Sequence, residues 1–187
     1  MWPIVQIEAE GVIGSGVVFE KKEDRLVVLT AGHVVQGMPE KVEVVLQGNE
    51  KIESAIYVVS QASDIAFITI PVAAVSTELW QEIPVAVWDK DRFDGLSGGE
   101  QMTLQGFLEN GSSQELVCDL IYPWIYTEDF AQYMMLLRGE ILPGMSGGGV
   151  FDEAGNLVGI LCGVSEEREI AVLPLSIILA EYSLVYG

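Results

Sequence analysis

Short apolar segments rich in valine and isoleucine, separated by turn residues, run through most of the chain. In the first half, KVEVVLQ (41–47) alternates apolar and polar residues, the turn GNE follows, and KIESAIYVVS (51–60) resumes the pattern. This spacing is typical of antiparallel strands joined as hairpins. The predicted strand segments are residues 16–22, 25–32, 41–47, 51–60, 64–70, 101–109, 115–127, 132–140, 148–153, 157–164 and 169–174. The pattern therefore predicts an all-β protein.

The stretch WDKDRFDGLSGGE (88–100) divides these segments into two groups of similar size. It is polar, charged and rich in glycine, which is typical of a connector between two folded units. We therefore predict two small antiparallel β-barrels, over residues 1–87 and 101–187. Near the end of the chain, SIILAEYSLV (176–185) is predicted to form a short helix with Ser176 as its N-cap.

The chain is strongly acidic, with 9 Lys and Arg against 28 Asp and Glu and a net charge of −19. Phosphate contacts need clustered basic residues, so neither nucleic acid nor an anionic membrane is expected as a partner. The acidity either keeps the protein soluble, which we favour, or attracts basic substrates. No window holds 18 uninterrupted apolar residues, and the N-terminus lacks the pattern of a secretory signal. We therefore expect a cytoplasmic protein.

Metal-ligating residue types are scarce: the chain has one histidine, His33, and two cysteines, Cys118 and Cys162. Three such residues without close spacing do not indicate a zinc site. One disulfide is an alternative to two buried free thiols, and the thiols are favoured, which is typical of a reducing compartment. We expect neither a metal nor an organic cofactor.

One serine, Ser146, lies among four glycines in LPGMSGGGVF (142–151). Glycine in ordered backbone needs a local reason, such as a tight turn or a close approach to the backbone. The stretch could be a plain turn between strands, a nucleophile elbow, or a nucleophile whose base lies upstream. Residues 144–148 satisfy G-x-S-x-G, but the nucleophile-elbow fold requires a histidine after the serine, and none follows Ser146. That interpretation therefore fails.

An upstream base is available in LTAGHVV (29–35), where His33 follows the end of a predicted strand. A carboxylate must orient such an imidazole. The candidates between His33 and Ser146 are Asp64, Asp89, Asp91, Asp94, Asp119 and Asp129. Asp64 is favoured because it begins the apolar segment DIAFITI (64–70), where a partly buried carboxylate needs a partner.

TAGHVV, DIAFITI and PGMSGGGVFDEAGNLVGIL, in that order, resemble the trypsin-like (chymotrypsin-fold) serine proteases. The bacterial branch with HtrA-type and glutamyl-endopeptidase-like enzymes is the most similar. GSGVVF (14–19) and AVLPLSII (171–178) extend the resemblance over nearly the whole chain. It implies two six-stranded antiparallel β-barrels with the active site between them, and a protease domain alone, without the accessory domain of HtrA proteins.

The resemblance also implies the role of each site residue. Ser146 would be the nucleophile, His33 its general base and Asp64 the group that orients the imidazole. The backbone N–H groups of Gly144 and Ser146 would bind the oxyanion. Met145 stands where the digestive enzymes carry an aspartate that pairs with a newly cut N-terminus, so a zymogen of that kind is not expected. Gly149 replaces a proline of the common motif, which leaves the following strand less rigid at its start.

Substrate-binding residues follow from the same resemblance. The segment before the serine and the strand after LVGI would wall the primary specificity pocket. The matching residues are Glu140, Ile141, Cys162, Gly163 and Val164. Glu140 at the pocket floor would select Lys or Arg through charge pairing. The favoured alternative is that Glu140 points into water, and a small or aliphatic residue would then be accepted. Glutamyl specificity is not expected, because the pocket histidine of those enzymes is missing.

The sequence thus predicts a serine endopeptidase that hydrolyses a peptide or protein substrate through an acyl-enzyme. The alternative is a catalytically silent module of the same fold that binds a peptide or a partner protein. Activation by a partner domain or protein stays open for either function.

Overall fold

The computed structural model describes residues 2–46, 49–54 and 56–187, and its first half forms a seven-stranded antiparallel sheet. The sheet order is β5-β4-β1-β2-β3-β7-β6. The strands are β1 (Ile4–Ala9), β2 (Val12–Lys21), β3 (Arg25–Thr30), β4 (Val42–Val45), β5 (Lys51–Ser54), β6 (Tyr57–Val59) and β7 (Ala66–Pro71). The sequence had not predicted β1, although it alternates polar and buried apolar residues.

The sheet has seven strands because the segment 51–60, predicted as one strand, forms two. Its first part, β5, pairs with β4, whereas its second part, β6, pairs with β7 at the other edge of the sheet. Ser54 Oγ donates to the Thr69 carbonyl at 2.7 Å, and the Thr69 N–H donates to the Ile56 carbonyl at 2.8 Å. The sheet therefore curls into a half-barrel, in place of the predicted six-stranded barrel.

The second half forms a closed six-stranded barrel, as predicted, with the order β10-β13-β12-β11-β8-β9. Its strands are β8 (Gln101–Phe107), β9 (Ser113–Thr127), β10 (Gln132–Arg138), β11 (Gly149–Phe151), β12 (Leu157–Val164) and β13 (Ile170–Pro174). All six pairings are antiparallel. The loop that carries Ser146 connects β10 to β11 and so lies at one end of the barrel.

The described part of the chain has three α-helices: α1 (Thr77–Glu82), α2 (Lys90–Asp94) and α3 (Leu175–Tyr186). Helix α2 lies in the predicted connector, and its N-cap is Asp89, whose carboxylate accepts from the Arg92 N–H. Helix α3 is the predicted C-terminal helix, but Ser176 is not its N-cap. It begins one residue earlier because Pro174, extended at the end of β13, is the capping residue. Among the described residues, no helix is long and apolar enough to cross a membrane.

Three apolar clusters form the core, one inside each sheet and one between them. The cluster between the sheets joins Val17, Leu29 and Phe67 of the half-barrel to Met134 and Ile160 of the barrel. Helix α3 packs against this middle cluster through Ile178 and Tyr182. Burial of this much apolar surface fixes the two halves against each other. Loops from both halves therefore meet at a defined position.

Candidate active site

His33 and Asp64 are brought together by the pairing of β3 with β7. Thr30, at the end of β3, lies opposite Ala66, near the start of β7. The 3-10 turn Gly32–Val35 follows β3 and carries His33, while Asp64 lies two residues before the start of β7. A side chain at Gly32 would crowd this corner, since its Cβ would lie 3.1 Å from the Ile65 nitrogen and 3.2 Å from Asp64 Oδ1.

Two hydrogen bonds hold the His33 residue on the Asp64 carboxylate. The His33 backbone N–H donates to Oδ1 at 2.8 Å, and the ring nitrogen Nδ1 lies 2.8 Å from Oδ2. The neutral ring can donate from Nδ1 only if Nε2 carries the lone pair. The Asp64 carboxylate therefore selects the tautomer whose Nε2 can accept a proton.

Each member of this pair shifts the pKa of the other. The hydrogen bond with Asp64 raises the pKa of His33 above its ordinary value, and this effect exceeds the opposing effect of burial. Burial alone would raise the pKa of Asp64, but the hydrogen bonds and the charge of His33 hold it below the ordinary value. Asp64 is therefore held in its ionised form, and the His33 ring keeps its proton to a higher pH than a free imidazole does.

Ser146 lies in the loop between β10 and β11, which contacts the half-barrel next to the His33 turn. The Ser146 carbonyl accepts from the Ser15 N–H at 2.7 Å. A Cβ at Gly14 would lie 2.7 Å from Val34 and 3.1 Å from the Ser146 carbonyl oxygen, so Ser146 faces the His33 turn across Gly14. The next residue, Gly147, approaches even more closely, since its Cβ would lie 2.1 Å from the Ser15 carbonyl oxygen.

His33 and Asp64 are joined by hydrogen bonds. Ser146 lies across Gly14 from the His33 turn and is not bonded to either residue. Within the described residues, the Ser146 hydroxyl makes no hydrogen bond to the His33 ring. Ser146 itself is only partly buried. Hydrogen bonds between a catalytic nucleophile and its base are often long in unliganded sites and shorten when substrate binds.

Two backbone N–H groups of the Ser146 loop are the candidate oxyanion donors. Gly144 has φ +99°, a conformation that favours glycine, and a Cβ there would lie 2.6 Å from the Glu109 nitrogen. Among the described residues, neither the Gly144 N–H nor the Ser146 N–H has a hydrogen-bond partner. The neighbouring N–H groups of Met145, Gly147 and Gly148 all donate, to the carbonyls of Leu142, Leu161 and Met145. Two partly exposed donors are thus available beside the serine hydroxyl.

The side chains of Met145 and Ser15 fix the position of this loop. The Met145 side chain is fully buried in the barrel core. Ser15, also fully buried, donates from Oγ to the Gly144 carbonyl at 2.8 Å and accepts from the Phe107 N–H at 2.7 Å. Sequence reasoning missed Ser15 as a functional residue, although it lies in the quoted GSGVVF segment. A serine between two glycines on an apolar strand was the available signal.

The candidate specificity residues lie around this loop but differ in exposure. Glu140 is exposed in the loop that follows β10, and Ile141 packs partly against the barrel core. Gly163 and Val164 end β12, where the Val164 side chain is exposed. Cys162 is different: its thiol is buried and donates to the Asp64 carbonyl at 3.7 Å. The Cys162 side chain is therefore not in a position to contact a substrate.

Both cysteines are free and buried, as predicted, so no disulfide joins them. Burial and the nearby Asp64 charge raise the pKa of the Cys162 thiol well above its ordinary value. In the part of the chain that the structure describes, no group of three or more His, Cys, Asp or Glu residues is arranged to hold a metal ion.

A curled antiparallel sheet packed on a closed barrel, with a His–Asp pair and a glycine-rich serine loop meeting between them, defines a chymotrypsin-like serine protease. The family model for the trypsin-like peptidase domain matches residues 14–160. The chain therefore belongs to the trypsin-like peptidase family, and it is a hydrolase of the serine protease class.

Solved structures with the same fold are similar over nearly the whole chain. The active form of the Rv3671c protease from M. tuberculosis has a TM-score of 0.76 at 19% identity and covers 97% of this chain and 79% of its own. The HtrA-type protease AlgW, solved with a tripeptide, has a TM-score of 0.77 at 19% identity, with 95% of this chain and 58% of its own covered. The serine endoprotease from Yersinia pestis has a TM-score of 0.75 at 19% identity, with 95% of this chain and 60% of its own covered. No curated protein matches the chain.

Proposed function

We propose that the chain is a serine endopeptidase that cuts peptide bonds with Ser146, His33 and Asp64. The observation that carries this proposal is the pair of 2.8 Å bonds between His33 and Asp64, which leaves Nε2 as the free base beside the Ser146 loop. A serine hydroxyl is a weak nucleophile unless a neighbouring base takes its proton. His33 is the single histidine of the chain.

The chemistry follows from these positions. As Ser146 Oγ attacks the substrate carbonyl carbon, His33 Nε2 takes the hydroxyl proton, and Asp64 stabilises the imidazolium that forms. The imidazolium then gives this proton to the amine as the peptide C–N bond breaks, which leaves an acyl ester on Ser146. Water attacks the ester with His33 again as the base, the acid product leaves, and the hydroxyl regains its proton.

The negative oxygen of each tetrahedral intermediate would be bound by the N–H groups of Gly144 and Ser146. Support comes from the N–H groups of Gly144 and Ser146, which have no partner among the described residues, whereas those of Met145, Gly147 and Gly148 donate. Donors aimed in advance at a developing charge need no rearrangement during the reaction. Loss of one such donor typically raises the barrier by about 3 kcal/mol.

Peptides are the substrate class that this proposal implies. AlgW, which has the same fold, has been solved with a tripeptide and with a decapeptide. The exposure of Glu140 favours a small or aliphatic residue before the scissile bond over a basic one, because no acidic floor then lies within the pocket.

A mixed peptide library, read by mass spectrometry, tests both activity and preference. We expect cleavage after small or aliphatic residues, and Ser146→Ala should reduce kcat/KM by about 10⁵-fold or more while leaving the fold intact. Cleavage that persists in Ser146→Ala would contradict the proposal. Cleavage after Lys and Arg that is lost in Glu140→Gln would contradict only the predicted preference.

The second candidate, a silent peptide-binding module, is favoured by one observation, the missing bond between the Ser146 hydroxyl and His33. For the Rv3671c protease, an inactive form has been solved alongside the active one. The same library separates the two functions, since a silent module would bind peptides without producing any new termini. A partner that activates the enzyme would restore cleavage on addition.

A further inference from the structure

A cleft of about 350 Å³ lies against the His33 turn, on the side of the turn that joins β1 to β2. One wall consists of His33 and Val34, continuing into the backbone of Gly37 and Pro39. The other wall is the β1–β2 hairpin, with Glu10 near its tip. The cleft therefore connects the candidate base to an acidic side chain of a different element.

Glu10 occupies this position in an unfavourable backbone conformation. Its φ is +49°, and Gly11 follows with φ +84°, which is the arrangement of a tight two-residue hairpin turn. That turn prefers Asn, Asp or Gly at its first central position, because other side chains strain the left-handed conformation. A residue that breaks a local preference in this way points to a functional role.

No cation of the described residues neutralises the Glu10 carboxylate. Among the described residues it forms no ion pair and no hydrogen bond, and its Oε2 lies 3.8 Å from the Cβ position of Gly37. Lys41, the nearest basic residue along the adjacent loop, is already bound to Glu53 at 2.7 Å. Tyr57 also faces this region: burial, and then the Glu10 charge, raise the pKa of its hydroxyl.

Because His33 protonates the leaving amine, the substrate segment that follows the scissile bond departs past the imidazole. We propose that this segment enters the cleft and that Glu10 selects a Lys or Arg side chain within it. The inference rests on the proposed role of His33. A basic side chain would supply the cation that Glu10 lacks, and the cleft is large enough for one extended side chain.

Capture of the acyl-enzyme by added amines tests this site separately from the first half of the reaction. Ser146 is acylated with a peptide ester, which has no segment after the scissile bond, and dipeptide amides then compete with water for the acyl group. Arginyl-alanine amide should be captured about fivefold better than the uncharged isostere citrullyl-alanine amide, the size expected of an exposed ion pair. The difference should shrink as salt is raised.

Glu10→Gln should abolish this difference while leaving ester hydrolysis unchanged. The matched control is Glu8→Gln, which removes the same charge from an exposed residue of β1 outside the cleft and should keep the preference. Equal capture of the two amides by the unmodified protein, or a preference that persists in Glu10→Gln, would overturn the inference alone. Failure of the ester to acylate Ser146 would overturn the proposed function, and the inference with it.

Discussion

Ser15 and Gly144 are 129 residues apart in the sequence, yet a 2.8 Å hydrogen bond joins the Ser15 hydroxyl to the Gly144 carbonyl. The same hydroxyl accepts from the Phe107 N–H, so one fully buried side chain ties the half-barrel to the barrel and to the serine loop. Fixing the Gly144 carbonyl also fixes the peptide planes next to it. The bond therefore links a residue outside the triad to the predicted oxyanion donors.

Ser15→Ala should destabilise the protein and slow catalysis. The substitution leaves the partly buried Phe107 N–H and Gly144 carbonyl without the Ser15 hydroxyl, which costs about 1–3 kcal/mol. The loop then loses its preferred position, so kcat should fall more than KM rises. Urea unfolding and steady-state kinetics measure the two effects. Ser113→Ala, at an exposed position of β9, is the control and should change neither.

The pH dependence of activity should report the raised pKa of His33. The base must be neutral, so kcat/KM should fall as the pH drops through an apparent pKa above the ordinary value of 6.5. Asp64→Asn removes the hydrogen-bond acceptor that raises this pKa, so the inflection should move down and kcat should fall by about 10⁴-fold. Because the chain has one histidine, a single imidazole NMR resonance gives the pKa directly. A His33 pKa that does not change in Asp64→Asn would be inconsistent with the observed pairing.

The same shifts affect stability in two separate pH windows. The folded-state pKa of His33 is raised, so the stabilisation from its protonated form is complete below the unfolded pKa and is lost as pH rises through the folded pKa. The folded-state pKa of Asp64 is lowered, so its contribution is present above the unfolded pKa and is lost as pH falls through the folded pKa. Urea unfolding from pH 4 to 9 should show the upper change in the unmodified protein and not in Asp64→Asn.

Gly147 and Gly155 provide a matched pair for the close packing of the serine loop. Both have left-handed backbone, with φ +87° and +84°. A Cβ at Gly155 meets nothing within 4 Å, whereas one at Gly147 would clash with the Ser15 carbonyl at 2.1 Å. Gly155→Ala should therefore cost only the conformational strain of about 1–2 kcal/mol. Gly147→Ala should cost more than about 4 kcal/mol or prevent folding, and equal free energies of unfolding for the two variants would contradict the packing described.

Thiol reagents should leave the folded protein unmodified. Burial raises the pKa of both Cys118 and Cys162, which removes the reactive thiolate as well as access to it. Iodoacetamide at neutral pH should therefore add no mass and cause no loss of activity, while two additions should follow unfolding in urea. Rapid alkylation of Cys162 in the folded state would contradict the burial of its thiol.

The sequence offers His33, Asp64 and Ser146 as site candidates because each lies at the boundary of an element with a clear local pattern. A strand ends before His33, an apolar strand begins after Asp64, and glycines surround Ser146. Pairing of β3 with β7 then brings the first two residues together. Local patterns predicted β3 and β7 because each is a short, nearly continuous run of buried apolar residues.

Features that depend on distant contacts were not visible in the sequence. Segment 51–60 pairs with two different strands, which its continuous pattern could not indicate. The N-cap of α3 was assigned to Ser176 from propensity, but Ser176 Oγ is buried without a partner because Pro174 already ends β13 there. The role of Ser15 was not visible either, because Ser15 and Gly144 become neighbours only in the folded chain.

The reaction of Ser146 with an organophosphonate tests the central claim most directly, because the reagent needs the nucleophile, its base and the oxyanion donors but no particular peptide. Intact-mass and peptide-mapping measurements should locate one adduct, on Ser146, and His33→Ala should slow its formation by about 10³-fold or more without loss of the fold. Labelling at an equal rate in His33→Ala, or an adduct on another residue, would contradict the assigned triad.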